Sequence, residues 1–237
     1  SFELFPPKTE KGLQNLPGTI DHLMKYNPSY ISCTYGAGGG NVGANREVCQ
    51  MIKNAGTTPV THFTVIKNTK EGIKEQLDQY LADGVDHMLA LRGDIPLGET
   101  TTCGDFDYAT DLVKFVRDTY GDKFEIAVAG SPEGHISCRS LESDIAVLKQ
   151  KQDNGADYIM TQLCWDMEQF KYWLDAIRKA GITMPVDVGV MPILDQAATI
   201  SMALSRNGCV MDRELSRLIS KYWIFPNPFD KAPFDDN

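Results

Sequence analysis

Short apolar runs alternate with longer amphipathic stretches along almost the whole chain. The apolar runs fall at 1–5 (SFELF), 29–34 (SYISCT), 58–64 (TPVTHFT), 86–91 (DHMLAL), 124–130 (EIAVAG), 157–163 (DYIMTQL) and 185–191 (PVDVGVM). Between them, near 12–26, 44–55, 70–83, 107–120, 139–154, 167–180 and 195–206, apolar residues recur at three- and four-residue spacing. The first class predicts strands and the second predicts helices. Strand–helix alternation of this kind predicts a parallel sheet with right-handed crossovers. Seven βα units are countable, whereas a (β/α)8 barrel takes eight units and about 250 residues. The tail "IFPNPFDKAPFDDN" is rich in proline and aspartate and reads as loop. The expectation is therefore an α/β fold, a (β/α)8 TIM barrel forming one domain over 1–237. Its last βα unit is expected to be missing and its C-terminal end incomplete.

Composition narrows the partners. The net charge is −9 and no lysine/arginine run occurs, which argues against nucleic acid or an anionic membrane. A small anionic ligand needs only a few local cations and stays possible. The six cysteines, at 33, 49, 103, 138, 164 and 209, include no CxxC-type pair. They read as free thiols in a reducing cytoplasm rather than as a zinc or iron–sulfur site. No apolar run reaches the roughly 20 residues of a membrane span. No signal peptide is visible, and the chain opens directly in a strand-like segment, as a piece lacking its natural N-terminus would.

"TYGAGGGNVGAN", residues 34–45, contains Gly38-x-Gly40-x-x-Gly43, the spacing of a dinucleotide-binding turn. That reading also needs an acid about 20 residues on, at the end of the next strand. Here the next strand ends Thr61-His62-Phe63-Thr64. A flexible loop between a barrel strand and its helix is the better reading.

Polar residues stand where a barrel interior should be apolar. Alternation in the first strand puts Phe2 and Leu4 on one face, towards helices, and Ser1, Glu3 and Phe5 inward. Glu3 is then either half of a structural ion pair or a catalytic acid with a raised pKa. Thr34 and Tyr35, His62, Arg92-Gly93-Asp94, Ser131 to His135 and Gln162 lie towards the C-terminal sides of successive strands, where barrel active sites are built. Asp144 and Lys151 are seven residues apart on one predicted helix, about 10.5 Å along its axis. They form either a solvated charged face or two contacts to a long ligand.

Taken together, "SFELFPPKTE", "SCTYGAGG", "THFT", "LALRGDIP", "DYATDL", "SPEGH", "GADYIMTQL" and "GVMPI" resemble the methylenetetrahydrofolate reductase family, in family order over almost the whole chain. The resemblance implies a barrel with a flavin at its mouth, usually FAD and otherwise FMN. It implies reduction of 5,10-methylenetetrahydrofolate to 5-methyltetrahydrofolate by ping-pong kinetics, usually with NADH or NADPH as donor. By position, Glu3 resembles the catalytic acid that opens the folate's five-membered ring. Asp94 resembles the acid beside flavin and pterin, and Gln162 the glutamine that contacts folate and nicotinamide. Thr34, Tyr35, His62, Arg92, Gly93, Ala109, Ser131, His135, Asp144 and Lys151 align with flavin-binding positions. The family often has an aromatic residue where this chain has Ser131. It often has a phenylalanine where "ATISMALS" stands, and the final strand with a folate-binding arginine is not in the sequence. The competing reading is a flavin-carrying subunit that receives electrons from an iron–sulfur partner, in a homo-oligomer or a larger complex. A flavin-free aldolase would need a Schiff-base lysine at a strand end, and none is offered.

Overall fold

A computed structural model of the chain describes residues 1–7, 9–35, 42–95, 98–135, 137–192, 199–200 and 213–223. In chain order the elements are β1 (Phe2–Leu4), α1 (Glu10–Met24), β2 (Tyr30–Cys33), α2 (Val42–Asn54), β3 (Thr58–Thr64), α3 (Lys70–Ala82), β4 (His87–Leu91), α4 (Ala109–Tyr120), β5 (Glu125–Gly130), α5 (Leu141–Asp153), β6 (Tyr158–Thr161), α6 (Met167–Lys179) and β7 (Val186–Asp187). A further helix runs over Arg213–Trp223. Side chains start several helices: Thr9 and Thr69 each accept the N–H three residues on, and Asp166 accepts from Glu168 and Gln169. These bonds satisfy amides that a helix start otherwise leaves unpaired.

The strands form one sheet in the order β1-β2-β3-β4-β5-β6-β7, and β1 to β5 pair in parallel with their neighbours. A doubly wound dinucleotide fold reverses its strand order at a switch point. The unbroken sequential order is that of a TIM-barrel-type α/β fold, and it removes the Rossmann reading of the glycine turn. Residues 36–41 of that turn lie outside the described residues, as does most of the helix expected at 195–206. β6 and β7 are shorter than the apolar runs at 157–163 and 185–191 suggested.

By contact density the chain divides into two compact units. The first comprises Ser1–Ala129, Val147–Met160 and Met184–Val186. It holds the sheet apart from the terminal residues Gly130, Thr161 and Asp187. Register defines the two faces of that sheet. Glu3 pairs with Ser32, Ser32 with Val60, and His62 with Leu89, so these side chains share one face. The other face carries Cys33, Thr61 and Phe63. Phe63 meets the ring of Tyr80 on α3 edge-on at 6.3 Å between centroids. Ile31, Cys33, Val60, Phe63, Met88, Ala90, Ile126 and Val128 are fully buried.

At the N-terminal ends of the strands, Arg117 joins α4 to the sheet. Its guanidinium donates to the carbonyls of Gly155, Gly121 and Phe124, at 2.7–3.0 Å, and to Asp157 at 2.6 Å. The second unit comprises Gly130–Ala146, Thr161–Thr183 and Asp187–Asn237. It is built around α6, whose Phe170, Trp173 and Ile177 are buried at helical spacing. Among the described residues no helix is long and apolar enough to cross a membrane.

Candidate active site

The residues expected to carry chemistry fall into two groups, one in each unit. In the first unit, Glu3 lies on the face opposite the helices, paired with Ser32. Solvent reaches the residue, yet enough protein surrounds its carboxyl group that desolvation raises the pKa above the ordinary carboxylate value. Among the described residues no ion pair includes Glu3.

On the same face, two strands away, stand His62 and Thr64. His62 is 7% exposed, and burial pushes its pKa down to about 4, so the imidazole is neutral near pH 7. Its Nε2 and the Thr64 hydroxyl are buried without a hydrogen-bond partner. An unsatisfied buried polar group costs about 1–3 kcal/mol. Two such groups on alternate residues of one strand are the feature of this face that calls for a ligand with polar atoms along one edge. The flavin ring implied by the resemblance carries nitrogens and carbonyl oxygens of that kind, and the residues fit it. The "THFT" stretch holds both side chains, but sequence reasoning singled out His62 and passed over Thr64.

The turn after β4 presses against Thr64 and Ile66. Gly93 has φ +84°, and a Cβ there would lie 3.1 Å from Thr64 Cβ and 3.2 Å from Ile66 Cβ. Glycine meets both demands, conformation and space. Arg92 is half-buried, with its Nε donating to the Gly93 carbonyl at 3.3 Å, and Asp94 is exposed beside it. Ala109 opens α4 and is half-buried.

Thr34 and Tyr35 behave differently from each other. The Thr34 N–H donates to the Leu4 carbonyl at 2.9 Å, which continues the β1–β2 ladder. By alternation its side chain follows Ser32 onto the face of Glu3. The Tyr35 ring lies on the helix side, 5.4 Å from Phe63, with its hydroxyl bonded to Gln76 Oε1. Burial pushes its pKa up to about 12. Tyr35 therefore offers a ligand on the Glu3 face backbone atoms rather than its ring. Lys151, on α5, donates from Nζ to the Ala129 carbonyl at the end of β5, at 2.9 Å.

In the second unit, α5 also carries Asp144, as expected. Its carboxylate accepts the His135 N–H at 3.2 Å and faces the Cys138 thiol at 3.6 Å, closing the loop after β5 onto the helix. His135 Nδ1 accepts from the Ser137 N–H at 3.1 Å. Ser131 begins a turn in which its carbonyl accepts from Gly134. Gln162 follows β6, with its N–H on the Gly130 carbonyl and its Oε1 accepting from the Leu163 N–H at 2.8 Å. Beside it, Cys164 is buried, and its thiol pKa is pushed up to about 11, first by burial and then by the charge of Glu133. The Trp165 indole N–H is a third buried polar group with no partner.

Comparison with known proteins gives one consistent result. The methylenetetrahydrofolate reductase family profile matches residues 1–212. Methylenetetrahydrofolate reductase (NADH) 1 of Arabidopsis thaliana is 38% identical over 216 residues, covering 86% of this chain and 36% of the relative. The 5,10-methylenetetrahydrofolate reductase of Salmonella typhimurium is 35% identical over 194 residues, covering 81% of this chain and 64% of the relative. The chain thus spans about a third of the plant relative's length and under two thirds of the bacterial one. Among solved structures, an uncharacterized protein from Clostridium thermocellum, described as binding two copies of 5-methyl-5,6,7,8-tetrahydrofolic acid, superposes with a TM-score of 0.65. It is 14% identical, and the match covers 93% of this chain and 74% of that one, a likeness of fold.

Proposed function

The chain belongs to the methylenetetrahydrofolate reductase family, and from that premise we propose that it reduces 5,10-methylenetetrahydrofolate to 5-methyltetrahydrofolate. The cofactor is FAD, with FMN as the alternative, and the donor is NADH or NADPH. The place of action is the cytoplasm, and the unit of function is one flavin-binding barrel domain. The flavin, when bound, supplies two-electron hydride chemistry. The chain's own residues bind, orient and move a proton.

The observation that carries this reading is the polar face of the sheet. Glu3 sits there with a raised pKa, on the same side as the unpartnered His62 Nε2 and Thr64 hydroxyl. Desolvation shifts the Glu3 carboxyl towards its protonated form, and that form can donate to a ring nitrogen of the folate and open its five-membered ring. His62, neutral at working pH, offers one ring nitrogen as donor and the other as acceptor without adding charge. The Gly93 turn brings backbone close to the ligand, with Asp94 beside it. Lys151, Thr34, Arg92 and Ala109 complete the flavin contacts in this unit. Ser131, His135 and Asp144 are assigned to the flavin, and Gln162 to the folate and nicotinamide, by family position.

The test is the visible spectrum of the purified protein, followed by anaerobic titration with NADH, NADPH and reduced ferredoxin in turn. Flavin absorbance bleached by a nicotinamide, and restored by methylenetetrahydrofolate, is expected. Bleaching by ferredoxin alone would shift the reading to the electron-transfer-subunit alternative. Folded protein that shows no flavin and cannot be reconstituted with FAD or FMN would overturn it.

A further inference from the structure

We infer that Asn45 is a positioning residue for the flavin site: it holds the end of β2 so that Thr34 faces the ligand. This rests on the proposed flavin reading. Asn45 lies on α2 and is fully buried, in register with Val48, Cys49 and Ile52 on the helix's core face. An amide in that place is costly unless every polar atom finds a partner. It does. Nδ2 donates to the Cys33 carbonyl at 2.9 Å and to the Thr34 carbonyl at 3.1 Å. Oδ1 accepts from the Tyr80 hydroxyl at 2.6 Å and the Thr61 hydroxyl at 2.8 Å, with the Cys49 thiol at 3.6 Å. The orientation follows from the partners: carbonyls can only accept, so the NH2 group must face Cys33 and Thr34.

The two halves of this network do different work. The acceptor half ties α2 to β3 and α3 and contributes to stability. The donor half acts where strand pairing runs out, since the register of β2 against β3 ends at Cys33↔Thr61. Past that point Asn45 takes over from the sheet. The Thr34 N–H is committed to Leu4 and its carbonyl to Asn45. Its side chain is then what remains for a ligand, on a backbone held through both its N–H and its carbonyl. Tyr35 is pinned to α3 through Gln76, and Gln76 in turn donates to Asn68, which donates to the Thr64 carbonyl. The helix side therefore fixes the backbone at the ends of both β2 and β3, and the opposite side is left to bind.

The experiment is titration of flavin-stripped full chain with FAD, read by quenching of flavin fluorescence. Asn45→Leu keeps the size and removes the donor and the acceptor halves together. Tyr80→Phe and Thr61→Val remove the acceptor-side bonds and leave the carbonyl contacts. Asn45→Leu is expected to weaken FAD by roughly tenfold or more, the scale of one or two lost hydrogen bonds. Tyr80→Phe and Thr61→Val should stay within about twofold of wild type, a margin well under one hydrogen bond. If Asn45→Leu does not fold, Asn45→Asp serves instead. Ionised, it has no donor for the carbonyls, and its affinity deficit relative to wild type should shrink as pH falls and the carboxyl regains a proton. Wild-type affinity in Asn45→Leu, equal weakening in all three variants, or a pH-independent deficit in Asn45→Asp would each overturn the inference. Wild-type protein that binds neither FAD nor FMN would instead remove the parent reading.

Discussion

Burial of His62 makes a quantitative prediction about acid sensitivity. An imidazole in the unfolded chain takes up its proton near pH 6.5, whereas desolvation holds the folded one neutral down to about 4. Between those values the unfolded state binds a proton that the folded state refuses. Stability from this residue is thus fully present above about pH 6.5, falls as pH drops towards 4, and levels off below it. The gap corresponds to about 3 kcal/mol, a large share of the 5–15 kcal/mol that typically holds a domain together. The comparison is between wild type and His62→Gln, both flavin-free, in urea titrations at several pH values from 7.5 to 4. Asp78 and Asp83, whose pKa values are lowered by Lys74 and Arg46 respectively, also lose stability in acid, but equally in both proteins. The difference between the two curves isolates the imidazole. Wild type should lose about 3 kcal/mol more than the variant across this range. Parallel curves would mean that the folded imidazole is protonated near its ordinary pKa. Its Nε2 would then not be the neutral, unpartnered group argued for.

Three further outcomes are expected. Glu3→Gln keeps the shape of the side chain but cannot release a proton. In anaerobic stopped-flow its folate half-reaction should fall by about 10²–10⁴-fold while flavin reduction by the donor stays within several-fold. In wild type that folate half-reaction should decline as pH rises through the raised Glu3 pKa, and equal loss in both half-reactions would assign Glu3 a structural role. Gly93→Ala places a methyl group against Thr64 and Ile66 at a positive φ. It should cost about 1–3 kcal/mol in urea unfolding and lower flavin affinity in the same protein, and a neutral effect on both would show that the turn relaxes freely. Arg117→Ala strips partners from the carbonyls of Gly155, Gly121 and Phe124, far along the strands from the candidate site. It should destabilise by about 3 kcal/mol with flavin affinity unchanged, and a loss under about 1 kcal/mol would remove its structural role.

Much of this was legible in the chain because its signals are local. Period-two alternation placed Glu3 on the face opposite the helices, and the register with Ser32 bears that out. The same alternation, carried two residues past Cys33, puts Thr34 on that face and Tyr35 on the other, where its ring is observed against Phe63. Their opposite parity means that a ligand on the Glu3 face would meet Thr34 through its side chain and Tyr35 through its backbone. Asn45 was also within reach, since a polar residue in step with Val48, Cys49 and Ile52 breaks the apolar face of a helix. Its five partners come from β2, α2, β3 and α3, however, and no spacing rule gathers them. The helix Arg213–Trp223 is not among the expected elements although Leu215, Leu218, Ile219 and Tyr222 have helical spacing, because the proline-rich tail that follows it reads as loop. The apolar runs at 157–163 and 185–191 exceed β6 and β7 because pairing, not hydrophobicity, ends a strand. Gly189 N–H turns to the Thr161 hydroxyl at 2.9 Å instead of extending the ladder.

The placement of satisfied and unsatisfied polar groups in the first unit ties stability to function. Thr61, Tyr80, Asn45, Gln76 and Asn68 form hydrogen bonds on or near the helix side of β2 and β3. His62 and Thr64, on the other face of the same strand, leave a ring nitrogen and a hydroxyl without partners. Alternation makes this possible: neighbours in sequence face opposite sides, so β3 can be rigid through Thr61 and Phe63 and receptive through His62 and Thr64. A ligand that meets His62 and Thr64 therefore gains twice. It satisfies groups whose isolation costs the free chain about 1–3 kcal/mol each, and it finds backbone that needs little further ordering. Flavin binding should accordingly raise the unfolding midpoint of wild type more than that of a His62→Leu, Thr64→Val double variant, even where the double variant is the more stable of the two without flavin. That inversion distinguishes a face built for a ligand from a core that is merely imperfect, because filling a defect would stabilise the free and bound protein alike.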